Sequence, residues 1–191
     1  MKDYLFLRRT VLNQLKEELP AHLSYHGIAH TLDVLNVCNQ YIRRYNLDAE
    51  DRLMLKIGAI VHDMGFLKGP ANHEETGANM AAKIMQEIGM SKKRIDVMRG
   101  LVMATKIPQS PKNELEKIIC DADLDYLGRD DYPQISQKLY KELSFMNILK
   151  TEEEWKNLQV NFLKSHYFHT PFAKKNREPK KQYWLSKLLN S

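Results

Sequence analysis

Residues 58–65 read GAIVHDMG, and the reading of this stretch decides the fold. Gly58, Ala59, Ile60 and Val61 belong to a protein interior, yet His62 and Asp63 follow them without a break. A carboxylate buried alone costs on the order of several kcal/mol, so Asp63 requires a compensating charge. Four apolar residues by themselves suit a buried strand as well as a helix. Upstream, however, Leu53, Leu55, Ile57 and Ile60 extend the apolar pattern back toward Asp48. The stretch is therefore the end of a longer helix, and the helix delivers His62 and Asp63 as an adjacent pair.

Working outward, the same period recurs. Phe6, Val11, Leu12, Leu15 and Leu19 mark a first helix that ends near Pro20. Residues 28–45 give a second, with Leu32, Val34, Leu35, Val37, Cys38 and Tyr41 on one broad face. After the breaker Gly69-Pro70, HEETGANMAAKIMQEIG reads as a helix closed by Gly89, and Ser91 caps the next one. ELEKIICDADLDYLG resumes the period, Pro133 opens another helix, and Thr151 followed by three glutamates starts a capped one. No alternating strand, Asn-Gly hairpin or repeat interrupts this pattern. The expected fold is all-α, a single domain of about seven to nine helices over residues 1–173, with a basic helical tail at 174–191.

Composition sets further bounds. With 191 residues, 43% of them hydrophobic and 28% charged, the chain can bury one full core. Charges at Lys2, Asp3, Arg8 and Arg9 interrupt the N-terminal stretch, which lacks the apolar core of a signal peptide. No run approaches the roughly 18 apolar residues of a membrane span. Cys38 and Cys120 stand far apart among apolar neighbours and read as buried thiols, so the expected location is the cytoplasm. The net charge of +5 resides in Lys174–Lys187, whose six basic residues outnumber the single Glu178. That segment reads as a solvated helix end; without interleaved aromatics, nucleic acid is disfavoured as a partner.

Chemistry concentrates elsewhere. Of seven histidines, His26, His30, His62 and His73 fall in the single window 26–73, the first two in YHGIAH and four residues apart. Farther on, Asp121, Asp123 and Asp125 occupy alternate positions in ICDADLDYLG. Alternation separates them on a helix, so one or two are expected to point inward, and the residues alone leave the choice between Asp121 and Asp123 open. Imidazole and carboxylate donors suit a divalent ion such as Mn, Mg, Zn, Ni or Fe. Such an ion would also neutralise Asp63. His166 and His169, in HYFH, have ligand-like spacing but read as packing residues among aromatics. The methionines between Met80 and Met103 read as core filling.

His30, then His62-Asp63, then Asp123, with an apolar run before HD and Gly65 after it, resembles the HD superfamily of metal-dependent phosphohydrolases. The likeness covers about residues 24–130. It implies His30, His62, Asp63 and Asp123 as ligands of one or two divalent ions, with Asp123 preferred over Asp121. It also implies an all-α HD-type domain that activates water against a phosphate ester, a nucleotide or cyclic-nucleotide-like small molecule. Tyr25, His26 and His30 are similar to the YHN-x-x-H motif of class I cyclic-nucleotide phosphodiesterases, with Gly27 in place of Asn. That similarity implies His26 as general acid; Asp63 or Asp123 is a candidate to hydrogen-bond the water as well as ligate. His73, Lys68 and Lys106 are candidate substrate contacts, and Asp33 and Glu74 candidates for orienting the ligand histidines. Two other functions fit the resemblance: a di-iron oxygenase drawing on His26 and His73, and a non-catalytic, metal-stabilised nucleotide sensor.

Overall fold

The computed structural model describes residues 2–190, and among them it is all-α, with no strand. In chain order the helices are α1 (Lys2–Glu18), α2 (Ile28–Arg44), α3 (Ala49–Val61), α4 (His73–Glu87) and α5 (Lys92–Ala104). There follow α6 (Glu114–Asp123), α7 (Tyr132–Phe145), α8 (Glu152–Ser165), α9 (Pro171–Asn176) and α10 (Glu178–Leu189). Two 3-10 turns, Met64–Leu67 and Asp125–Gly128, extend α3 and α6. None of the helices is long and apolar enough to cross a membrane.

The chain forms two compact units. One holds α1 to α6 and the first 3-10 turn; the other holds Ala21–Tyr25, the second turn and α7 to α10.

In the first unit α3 is the central element. The Asp48 side chain accepts the Asp51 N–H at 2.8 Å, and Glu50 and Asp51 place negative charge in the first turn. From Met54 to Val61 every residue except Lys56 is buried, as expected of a helix covered on all sides. It packs against α1, α2, α5 and α6. Gly58 permits this: a Cβ there would lie 2.9 Å from Ile119 Cδ1 and 3.0 Å from Leu101 Cδ1.

Several expected caps are present. Ser91 accepts the Arg94 N–H, Gly89 takes φ +75° after α4, and Thr151 and Glu154 form a reciprocal capping box. The buried stripe of α1 is Leu7, Val11 and Leu15, four residues apart, which leaves Phe6 45% exposed rather than in the core. Leu32 likewise faces outward from α2.

The second unit is built around Tyr25, Leu124, Tyr126, Leu127, Tyr132, Leu163, Phe168 and Leu185. Arg177 divides the basic tail into α9 and α10, which raises the α-helix count to ten among the described residues. Its backbone is drawn against Gly128, where a Cβ would meet Arg177 O at 2.5 Å, and its Nε donates to Asp125 Oδ1 at 2.7 Å. Lys181 is fully buried, donates to the His166 carbonyl and pairs with Glu178. The tail is thus only partly solvated: Lys174 and Lys175 face outward, while Arg177 and Lys181 hold the unit together. His166 packs edge-on to Phe168, in line with the packing role read for HYFH.

All three aspartates of DADLD are buried or nearly so, Asp121 at 0%, Asp125 at 1% and the Asp123 side chain at 12% exposure. The expectation of one or two inward carboxylates assumed a continuous helix. Instead α6 stops at Asp123, and the following 3-10 turn swings Asp125 toward Arg177 and Arg129.

Candidate metal centre

The centre lies within the first unit and is assembled from helix ends. His62 and Asp63 follow α3, Asp123 closes α6, and His30 is the third residue of α2. Two helix C-termini therefore present their negative dipole ends, which favours a cation.

His30 Nε2 lies 3.0 Å from Asp123 Oδ1 and 3.2 Å from His62 Nε2. Asp63 Oδ2 is 3.1 Å from His62 Nε2 and 3.4 Å from His30 Nε2. His62 Nδ1 donates to the Ala59 carbonyl at 3.0 Å, so in the neutral ring Nε2 keeps its lone pair and aims it at the other donors. The donors of His30, His62 and Asp123 all fall within 4.8 Å of one another.

The fit to a divalent cation can be judged from this geometry. Donors bonded to one ion at about 2.0–2.2 Å sit roughly 3 Å apart, as these do. Asp63 Oδ2 is fully buried and, despite its nearness to His62, makes no hydrogen bond. Two imidazole nitrogens facing each other at 3.2 Å are tolerable only with a proton or a cation between them. The donor set satisfies what such an ion requires.

Electrostatics agree. Burial opposes charge on His62, but Asp63 and Asp123 beside it outweigh that cost and hold its pKa well above the usual imidazole range. Burial likewise opposes ionisation of Asp63, yet the charges of His62, His26 and His30 bring it well below the carboxylate range. Asp123 is also buried, and hydrogen bonds from His30 and His62 bring it down to about 2.

A cation must displace the His62 proton. Because the folded pKa of His62 is raised, that proton contributes stability below about pH 6.5 and the contribution is lost as pH rises through the folded value. Metal affinity is therefore expected to climb about tenfold per pH unit over that interval, with about one proton released per ion. Titration calorimetry in two buffers of different ionisation enthalpy counts the proton; release of none contradicts this arrangement.

Around these four residues lies an imidazole and aromatic layer. His73 starts α4, its Nδ1 donates to the Pro70 carbonyl at 3.1 Å, and its Nε2 faces Glu74 Oε1 at 3.5 Å and Asp63 Oδ1 at 3.8 Å. Glu74 is buried. His26 precedes α2, which begins at Ile28, and the His26 and His30 rings meet edge-on, 6.4 Å apart at 85°. His26 stacks on Phe66. Lys68 and Lys106 are exposed, and their side chains make no hydrogen bond or ion pair with a described residue. Asp121 stays outside the donor group, which takes Asp123 from the same helix. Phe66 has no distinguishing signal in sequence, where it is an ordinary apolar residue after a glycine.

Gly65 explains how this layer is held. A Cβ there would lie 1.9 Å from the His73 carbonyl oxygen and 2.8 Å from the Gly77 nitrogen. The turn after Asp63 and the first turn of α4 touch backbone to backbone.

An all-α protein with a buried two-histidine, two-aspartate donor set at converging helix ends is the class defined here. The chain belongs to the HD domain family, whose model matches residues 27–125, just over half of its length. Among solved structures it is similar to a predicted HD superfamily hydrolase from an uncultured Thermotogales bacterium, at 20% identity and a TM-score of 0.62. That likeness covers 95% of this chain and 89% of the other, and shows a shared fold. No curated protein matches the chain.

Proposed function

We propose that the protein is a divalent-cation-dependent hydrolase of a phosphate ester, with a nucleotide or cyclic-nucleotide-like small molecule as substrate. The observation that carries this reading is the convergence of His30, His62, Asp63 and Asp123, with Asp63 Oδ2 buried and turned toward both histidines. The similar Thermotogales structure, called a hydrolase, supports it. When bound, an ion such as Mn, Mg, Zn, Ni or Fe supplies Lewis acidity toward a phosphoryl oxygen and acidifies water. The four residues hold it, and Asp63 also accepts a hydrogen bond from the attacking water. His26 donates a proton to the leaving alkoxide. No side chain caps α2 or α4, and both helices begin beside His26 and His73. A helix N-terminus suits an anionic phosphoryl group. His73, Lys68 and Lys106 are its further contacts, the lysines being free to move toward it. A cytoplasmic location and a small-molecule rather than nucleic-acid partner complete the proposal.

A di-iron oxygenase needs donors beyond these four, which His26 and His73 would have to supply; among the described residues the donor atoms gathered most tightly are those of His30, His62 and Asp123. The test is a panel of linear and cyclic nucleotides and simple phosphomonoesters and diesters, assayed with each ion added back to chelated protein. Ion-dependent release of phosphate or of a nucleoside monophosphate is expected. Thermal stabilisation by a nucleotide without turnover would assign a sensor instead, and oxygen consumption with two irons bound would assign the oxygenase.

A further inference from the structure

The geometry points to Phe66 as the positioning residue that sets His26 and His73 over the metal centre, an inference that rests on the reading of His26 as the acid for the leaving group. Phe66 is 3% exposed and sits three residues beyond Asp63, its N–H donating to the Asp63 carbonyl at 3.0 Å. Its ring stacks on His26, with centroids 4.0 Å apart and planes at 18°, and meets His73 at 4.1 Å and 34°. The two imidazoles, from separate segments, are 6.2 Å apart. One hydrocarbon ring thus contacts both outer histidines.

The two histidines depend on it to different degrees. His73 is already tied through Nδ1 to the Pro70 carbonyl. His26 lies outside α2, next to the extended residue Gly27, so helix geometry does not orient it. The Phe66 face packs directly on the His26 ring, and the backbone that carries Phe66 is held where Gly65 meets α4. Stacked aromatic pairs favour one offset geometry over others. A proton donor displaced by about 1 Å loses much of its effect. Phe66 is not a donor to the cation, so its removal leaves the four ligands in place.

The test compares two kinds of ester with Phe66→Leu, Phe66→Tyr and His26→Ala. A p-nitrophenyl ester expels a stable anion that needs no proton, whereas an alkyl phosphate or a nucleotide expels an alkoxide that does. Phe66→Leu is expected to keep its metal, to lower kcat on the alkyl ester about tenfold, and to change the p-nitrophenyl rate less than about twofold. Phe66→Tyr, which keeps the ring, restores the rate. His26→Ala shows the same selectivity, and adding Phe66→Leu to it costs nothing more. Equal loss on both esters in Phe66→Leu, with selective loss in His26→Ala, overturns the role of Phe66. Absence of selectivity in His26→Ala overturns the acid reading instead.

A readout independent of turnover separates the two. The imidazole protons of His26 and His73 should show ring-current shifts in the NMR spectrum that vanish in Phe66→Leu, or in Phe66→Met should the leucine variant not fold. Unchanged imidazole shifts overturn the inference, whatever the kinetics.

Discussion

Gly65→Ala is expected to destabilise the protein by about 3 kcal/mol or more, the upper end for overpacking. For a chain of this size that is a fall in Tm of roughly 6–12 °C. The added methyl would sit 1.9 Å from the His73 oxygen, 2.7 Å from its carbonyl carbon and 2.8 Å from the Gly77 nitrogen. All three are backbone atoms, so no side chain can turn aside. The turn after Asp63 must separate from α4, carrying Phe66 and His73 apart. Gly89→Ala provides the comparison: nothing lies within 4 Å of that Cβ, and only the φ of +75° opposes the change. Its cost should be about 1 kcal/mol. Thermal melts of both variants decide; a Gly65→Ala protein that melts with the wild type contradicts the close approach.

Asp63→Asn is expected to leave the candidate metal centre empty and to lower the proposed phosphoesterase activity by at least about 10³-fold. Asp63 turns one oxygen toward His30 and His62 and the other toward His73. Asparagine preserves this shape but removes the negative charge and half of the centre's carboxylate donors. Loss of an outer partner to a ligand already costs about 10–100-fold in metal affinity, and loss of a ligand costs more. Asp121→Asn is the control. Asp121 is fully buried two residues before Asp123 but lies outside the donor group, so its variant should still bind the ion. A centre that loses its ion equally in both variants contradicts this assignment.

The all-α fold was legible because its signals are local. Asp48 caps α3, Ser91 caps α5 and Thr151 with Glu154 caps α8, and each can be read within a few residues. The GAIV run was legible as helix only through the apolar residues preceding it. The resemblance to the HD superfamily implied the four donors, but their meeting depends on where helices stop. Asp121 and Asp123 share Ala122 as a neighbour, and each is flanked on its other side by an apolar residue, Cys120 or Leu124. Which of them faces His30 is set by how α6 is turned against α2, a packing property.

Long-range contacts were not legible for the same reason. The break at Arg177 has a local mark, Pro179 in the first turn of α10, but the contacts Arg177 makes with Gly128 and Asp125 join residues far apart in sequence. Phe66 acquires its part only because two histidines from other segments lie against its ring. Lys68 and Lys106, candidate substrate contacts from sequence, both face outward, as lysines without a buried partner do.

The most direct measurement is the metal content of protein purified without chelator, wild type beside Asp63→Asn. At least one divalent ion per wild-type chain, and none above background in the variant, is the predicted result. A wild-type protein that carries no ion and takes up none when Mn, Mg, Zn, Ni or Fe is supplied would contradict the metal centre and the hydrolase built on it.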